Sequence, residues 1–204
     1  MQDRFFVVNL YDVIEELGED KARAILSEFS CSKNSDVDTF LKKKAIMFSN
    51  QGTARTHLVY ADRDGQKVLV GYYALAAKTL SIQMSGNKRL SQGLQRRLKK
   101  FMKYDERSGM HMMSALLIGQ LGKNFANHAD ELITGDELLQ IALKSVREVQ
   151  KIAGGKVVYL ECEDKPVLKN LYSNNGFVYF DKRMLDKDEG GLSGEYLLQY
   201  LKYM

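Results

Sequence analysis

The chain predicts a single α/β domain whose mixed, mostly antiparallel sheet is flanked by helices. Three observations point there. Two β-rich runs, 56–61 and 67–76, are separated by Arg63-Asp64-Gly65-Gln66, a hairpin-turn signal. The stretch 112–122, MMSALLIGQLG, is almost continuously apolar, as suits a strand covered on both faces. Strand, helix, strand, helix and strand patterns then follow one another over 113–180. At 204 residues and 45% hydrophobic content there is material for one packed domain over 1–204.

In chain order, FFVVNL at 5–10 reads as a first strand. The segment 12–29 is helix-prone but interrupted at Gly18, giving one broken helix or two short ones. Ser35-Asp36-Val37-Asp38 has the layout of a capping box. After it Val37, Phe40, Leu41, Ala45 and Phe48 recur at helical spacing and leave Lys42, Lys43 and Lys44 mostly wet. Beyond the hairpin, TLSIQM at 79–84 reads as a shorter strand, and 90–105 as a helix with Leu90, Leu94, Leu98 and Phe101 on one face. A helix beginning at Gly135 is expected to bury Leu138, Leu139, Ala142, Val146, Val149 and Ile152, and to stop at Gly154-Gly155. Strands at 157–163, 177–185 and 196–204 complete the sheet, with a loop at Gly190-Gly191 and Gly194 before the last.

Composition excludes several classes. A single proline and the absence of low-complexity tracts argue against disorder. The apolar runs are far shorter than a membrane span and MQDRFFVV lacks a signal-peptide layout, so a cytoplasmic protein without a membrane partner is expected. Cys31 and Cys162 are too few for a disulfide framework, and Cys162 reads as a small buried hydrophobe within an apolar strand. His57, His111 and His128 are scattered without metal-site spacing, so no metal is expected. The net charge is only +4, but 88–103 holds Lys88, Arg89, Arg96, Arg97, Lys99, Lys100 and Lys103 with no acid, a patch able to meet phosphates.

Three segments carry a family resemblance: 29–60 with the following VLVGYYALA, then LLIGQLGKN at 116–124, then LECEDKPVLKNLYSNNGF at 160–177. Together they resemble the GCN5-related N-acetyltransferase (GNAT) family over about residues 26–180, and GYYALA resembles the subset that includes toxins acetylating aminoacyl-tRNA. Two departures stand out. The family's pyrophosphate loop, Gln/Arg-x-x-Gly-x-Gly/Ala, corresponds here to Asp130-Glu131-Leu132-Ile133-Thr134-Gly135, so only its last glycine survives. Gln120 stands where the tRNA-modifying relatives commonly have arginine.

The resemblance implies acetyl-CoA as co-substrate and acetyl transfer to a primary amine by direct attack on the thioester. It implies a cofactor site at Ile133, Thr134, Gly135 and Asp136, where backbone N–H groups at a helix start can hold a pyrophosphate. Backbone N–H groups around Leu121, Gly122 and Lys123 would stabilise the oxyanion. Tyr172, in the Tyr-x-x-x-Gly-Phe context of Gly176 and Phe177, would supply a proton or hydrogen bond to the leaving thiolate. Glu161 and Glu163, alternating along one strand, are the candidate bases; the alternative is a salt-bridged pair at a strand end. The acceptor is a small-molecule or macromolecular amine, with tRNA engaged through the basic helix at 88–103 as one alternative. A non-catalytic CoA-sensing or protein-binding module is the other. A C-terminal strand at Tyr196–Tyr203 left on the sheet edge would suit a homodimer.

Overall fold

Among the described residues the sheet has eight strands. A computed structural model describes residues 4–185 and 194–204. The strands are β1 (Phe5–Asn9), β2 (Arg55–Arg63), β3 (Gln66–Ile82), β4 (Lys103–Asp105), β5 (Met110–Lys123), β6 (Val157–Cys162), β7 (Val178–Met184) and β8 (Tyr196–Tyr203). The helices are α1 (Leu10–Leu17), α2 (Glu19–Ser27), α3 (Ser35–Thr39), α4 (Ala45–Asn50), α5 (Gln92–Lys99), α6 (Gly135–Ala153) and α7 (Pro166–Asn174). Two compact units share β3, β5 and α6; their described parts are 4–76 with 118–145, and 77–117 with 146–185 and 194–204. The expected loop glycines Gly190 and Gly191 lie outside the described residues.

In the first unit the strand order is β1-β2-β3-β5. The β2–β3 hairpin closes through Asp64 and Gly65, both at positive φ, with the Gly65 N–H bound to the Asp62 carboxylate at 2.9 Å. That is the two-residue turn the sequence called for. Gly18, at φ 82, separates α1 from α2. The core gathers Phe29, Val37, Phe40 and Leu41 around Tyr72, whose hydroxyl donates to the Val37 carbonyl at 2.7 Å. The capping expectation at Ser35 shifts by one residue: Asn34 is the cap, accepting from the Asp36 and Val37 N–H groups. Asp38 instead accepts from the Cys31 N–H and pairs with Lys42. Between α3 and α4 the helix widens into one π turn, Phe40–Lys44, which still buries Phe40 and Leu41.

In the second unit the order is β3-β5-β6-β8-β7, with β4 on β5. Neighbouring β5 and β6 are joined through the 19-residue α6. Leu90, Leu94 and Leu98 pack with Val157, Tyr159, Phe180 and Leu201. Three expectations are corrected. TLSIQM is no separate strand but the continuation of β3. The basic helix is shorter than expected: Ser91 caps α5, which ends at Lys99, and Phe101 is 49% exposed beyond it. Val149 and Ile152 are exposed, because the last turns of α6 project past the apolar stripe that Leu138 to Val146 bury.

The last strand also departs from expectation. β8 pairs antiparallel with β6 on one side and β7 on the other, so it offers no free edge to a second subunit. The last strand in sequence is an interior strand of the sheet because β7 folds back outside it. No helix among the described residues is long and apolar enough to cross a membrane.

Candidate active site

The site begins where β5 ends. Gly122 is buried, and a Cβ there would lie 2.3 Å from Val37 Cγ1 and 3.2 Å from Tyr72 Cε1. Opposite, a Cβ on Gly71 would lie 2.8 Å from the Gly122 carbonyl oxygen. The two glycines therefore let backbone and α3 approach more closely than any side chain allows. Gly119, in the same strand, is exposed although β5 has neighbours on both edges. Its uncovered backbone is a place where a ligand can approach, a signal present in the sequence only as a glycine inside an apolar run.

Asn124, directly after β5, holds the turn that follows. Its N–H donates to the carbonyl of Val70, the extra residue where the β2–β3 register shifts. Its side chain accepts from the Ser30 and Ala126 N–H groups at 2.9 and 3.0 Å, and donates to the Glu28 and Leu69 carbonyls at 3.3 and 2.8 Å. This residue was not singled out from sequence, where one asparagine after a strand reads as an ordinary loop residue. Next come Asn127 and His128, both left-handed (φ 51 and 56), with their carbonyls held by the Arg63 guanidinium at 3.0 and 2.8 Å.

The chain then enters α6 through a reciprocal cap. The Thr134 hydroxyl accepts from the Glu137 N–H at 3.1 Å, while the Glu137 carboxylate accepts from the Thr134 N–H at 2.8 Å. Arg4 bridges the same carboxylate and the Leu132 carbonyl, both at 2.8 Å. The Thr134 N–H above all, then the Thr134 hydroxyl, Arg4 and Lys123, hold the Glu137 carboxyl below the usual glutamate range. Glu137 is thus committed to the cap and to cations. Gly135, the first residue of α6, has no acceptor for its N–H one turn earlier in the helix. Leu121, Gly122, Lys123, Ile133, Thr134, Gly135 and Asp136 all belong to this unit, and the Lys123 charge reaches the cap.

Gln120 donates to the Asp36 carboxylate at 2.9 Å and accepts from the Tyr72 hydroxyl at 3.4 Å. It ties the central strand to the start of α3.

The second unit carries the other candidates. Tyr172, on α7, is buried with its ring against Phe177 and Tyr200, centroids 6.0 and 5.9 Å away. Burial, and secondarily the neighbouring Cys162, push its phenol up, so the hydroxyl keeps its proton across the neutral range. Cys162 is buried and its thiol is pushed up to about 12, chiefly by burial, which makes it inert packing. Glu161 accepts from Arg183 Nε and Nη2 at 2.9 and 2.7 Å and from Gln199 at 2.8 Å. Glu163 lies just beyond β6, buried, and pairs with Lys165 at 2.7 Å. A cleft of about 280 Å³ is walled by Arg89, Asp164, Lys169, Tyr179, Tyr196 and Tyr200; Tyr172 lies behind the Tyr200 ring, centroids 5.9 Å apart.

The chain superposes on KacT, crystallised as a tyrosine-to-phenylalanine mutant, with TM-score 0.60 and 15% identity, covering 98% of this chain and 95% of that one. It superposes equally on AtaT complexed with acetyl-methionyl-tRNAfMet, at TM-score 0.60 and 14% identity, over 95% of this chain and 93% of that one. The fold is that of the GNAT acetyltransferases. A third GNAT neighbour is a tyrosine-to-phenylalanine mutant of the AtaT toxin, bound to the C-terminus of the antitoxin AtaR and acetyl-CoA. Its TM-score is 0.55 and its identity 13%, over 98% and 94% of the two chains. No protein-family model and no curated protein sequence matches the chain. The GNAT likeness is therefore one of backbone, reached with a sequence that has kept little of its neighbours' residues.

Proposed function

We propose that the chain is an acetyl-CoA-dependent N-acetyltransferase, acting on a primary amine. The observation that carries the reading is the start of α6, in a fold shared with an acetyl-CoA-bound neighbour. There Gly135 offers a first-turn N–H group, and the charge of the nearest glutamate, Glu137, is met by the cap, Arg4 and Lys123. An aligned helix terminus favours a pyrophosphate through its N–H groups and dipole, not through any one side chain. The loss of the consensus loop residues is compatible with that chemistry.

In the reaction the neutral amine nitrogen attacks the thioester carbonyl. A C–N bond forms, an oxyanion develops, and the C–S bond then breaks with the electron pair leaving on sulfur. Backbone N–H groups around Leu121, Gly122 and Lys123 are assigned to the oxyanion. Tyr172 is assigned to the departing thiolate. Because its phenol is pushed up by burial, it acts mainly as a hydrogen-bond donor and less as a full proton donor. Glu161, held by Arg183 and Gln199, is better suited to positioning than to taking a proton. Glu163, buried and paired with Lys165, is the other base candidate.

Calorimetric titration with acetyl-CoA tests the reading. Micromolar binding, abolished in Gly135→Val, is expected. Absence of binding would leave a non-catalytic module as the surviving account.

A second reading, acetylation of aminoacyl-tRNA, is favoured by the AtaT complex with acetyl-methionyl-tRNAfMet and by the face of α5 bearing Arg96, Arg97 and Lys99. If it holds, charged-tRNA binding weakens steeply with salt and falls further in Arg96→Glu. Salt-insensitive binding removes it.

A further inference from the structure

A group of cations gathers at the other end of α6. A concave surface of about 480 Å³ is walled there by Arg147, Gln150, Lys151, Lys156, Lys202 and Met204, with Gly155. Four of these side chains are cations and none is a carboxylate. Two have local employment. Lys151 pairs with Glu148 at 2.7 Å, and Lys202 Nζ donates to the Asn175 carbonyl past the end of α7 at 2.6 Å. Among the described residues neither Arg147 nor Lys156 makes an ion pair. Gln150 Nε2 is buried and without a hydrogen-bond partner, an arrangement that costs stability unless an acceptor meets it.

A helix C-terminus favours a cation, and Lys151 already supplies one to α6. The remaining charges repel one another: burial first, and Arg147 second, hold the Lys202 ammonium below the ordinary lysine value. Four cations crowded in one concavity call for an acceptor of several charges.

We propose that this cleft is a second anion site, one that binds a compact oligophosphate. A single carboxylate leaves most of the cations unmatched, whereas a phosphate chain brings several charges and many acceptor oxygens into one small volume. The site is distinct from the candidate active site. It adjoins the Val157 end of β6, on the order of 16 Å along the strand from Cys162 at the other end. The inference stands apart from the acetyltransferase reading.

The test is calorimetric titration of the full chain with sodium tripolyphosphate, with excess CoA present so that the start of α6 does not report. One binding event is expected, weakened at least tenfold in the double variant Arg147→Gln, Lys156→Gln. Both side chains are exposed, so this variant folds; a circular dichroism melt verifies it. Lys202→Gln is expected to act in the same direction. No binding to the unaltered chain, or equal binding to the double variant, overturns the proposal. A short single-stranded RNA serves as competitor. Failure to displace tripolyphosphate at physiological salt supports a free oligophosphate, and displacement would replace it with backbone phosphates.

Discussion

Replacing Asn124 with alanine is expected to destabilise the first unit by about 3 kcal/mol. The side chain satisfies two backbone N–H groups, of Ser30 and Ala126, and two carbonyls, of Glu28 and Leu69. Its residue is only 3% exposed, so water cannot readily take over all four. Each stranded buried group costs about 1–3 kcal/mol, and carbonyls tolerate loss better than N–H groups, so the two donors dominate. That is a large share of the roughly 5–15 kcal/mol that holds a domain folded. The assay is urea unfolding followed by far-ultraviolet circular dichroism, since the chain has no tryptophan. Asn124→Asp sharpens it. One carboxylate oxygen can still accept from Ser30 and Ala126, but the other then faces two carbonyls. The ionised form is disfavoured in the fold, so the aspartate's folded pKa rises above its unfolded value near 3.9. Stability of this variant should fall as pH rises above about 4 and recover on acidification. An unchanged midpoint and slope in Asn124→Ala would falsify the assignment of Asn124 as the anchor of this turn.

Tyr172→Phe should lower turnover by about a hundredfold while leaving acetyl-CoA affinity nearly intact, measured by thioester consumption and calorimetry. Equal losses in both would make the hydroxyl a binding group. Gly135→Val should abolish acetyl-CoA binding, and because Gly135 sits in ordinary helical backbone, a melt should show little loss of stability; retained affinity would move the pyrophosphate elsewhere. The Glu137 carboxyl is held low, so its contribution is present above about 4.5 and lost as pH falls through its folded pKa. Glu137→Gln should therefore flatten the acid side of the melting-temperature profile below that pH, and an unaltered profile would show the cap to be dispensable.

Local signals made most of the fold legible. Asp64-Gly65 can form only a narrow set of turns, Gly18 at positive φ separates α1 from α2, and the Leu138-to-Val146 stripe has one helical period. What escaped is set by partners distant in sequence. Nothing local makes Asn34 a better cap than Ser35; Asp38 is drawn away by the Cys31 N–H. Nothing local turns β7 back outside β8, and an amphipathic strand reads the same at an edge or inside a sheet. Phe101 and Ile152 fit their apolar periods yet lie exposed, because periodicity says which face is apolar but not how far its cover extends.

The candidate site shows the same division more sharply. The consensus loop residues are missing, and four acids, Asp130, Glu131, Asp136 and Glu137, crowd the place where phosphates are expected, which by sequence alone argues against the site. Geometry changes the sign of part of that argument. Glu137 satisfies the Thr134 N–H and is bridged by Arg4, a residue more than a hundred positions away, while Glu131 turns to His128. A glutamate at the third helical position closes a capping box and so fixes the direction in which the first-turn N–H groups point. On the proposed reading, the acid that looks hostile to an anion orients the first-turn donors. The proposed phosphate site rests on backbone rather than on signature side chains, so it depends on the strand end, the turn held by Asn124 and the cap together.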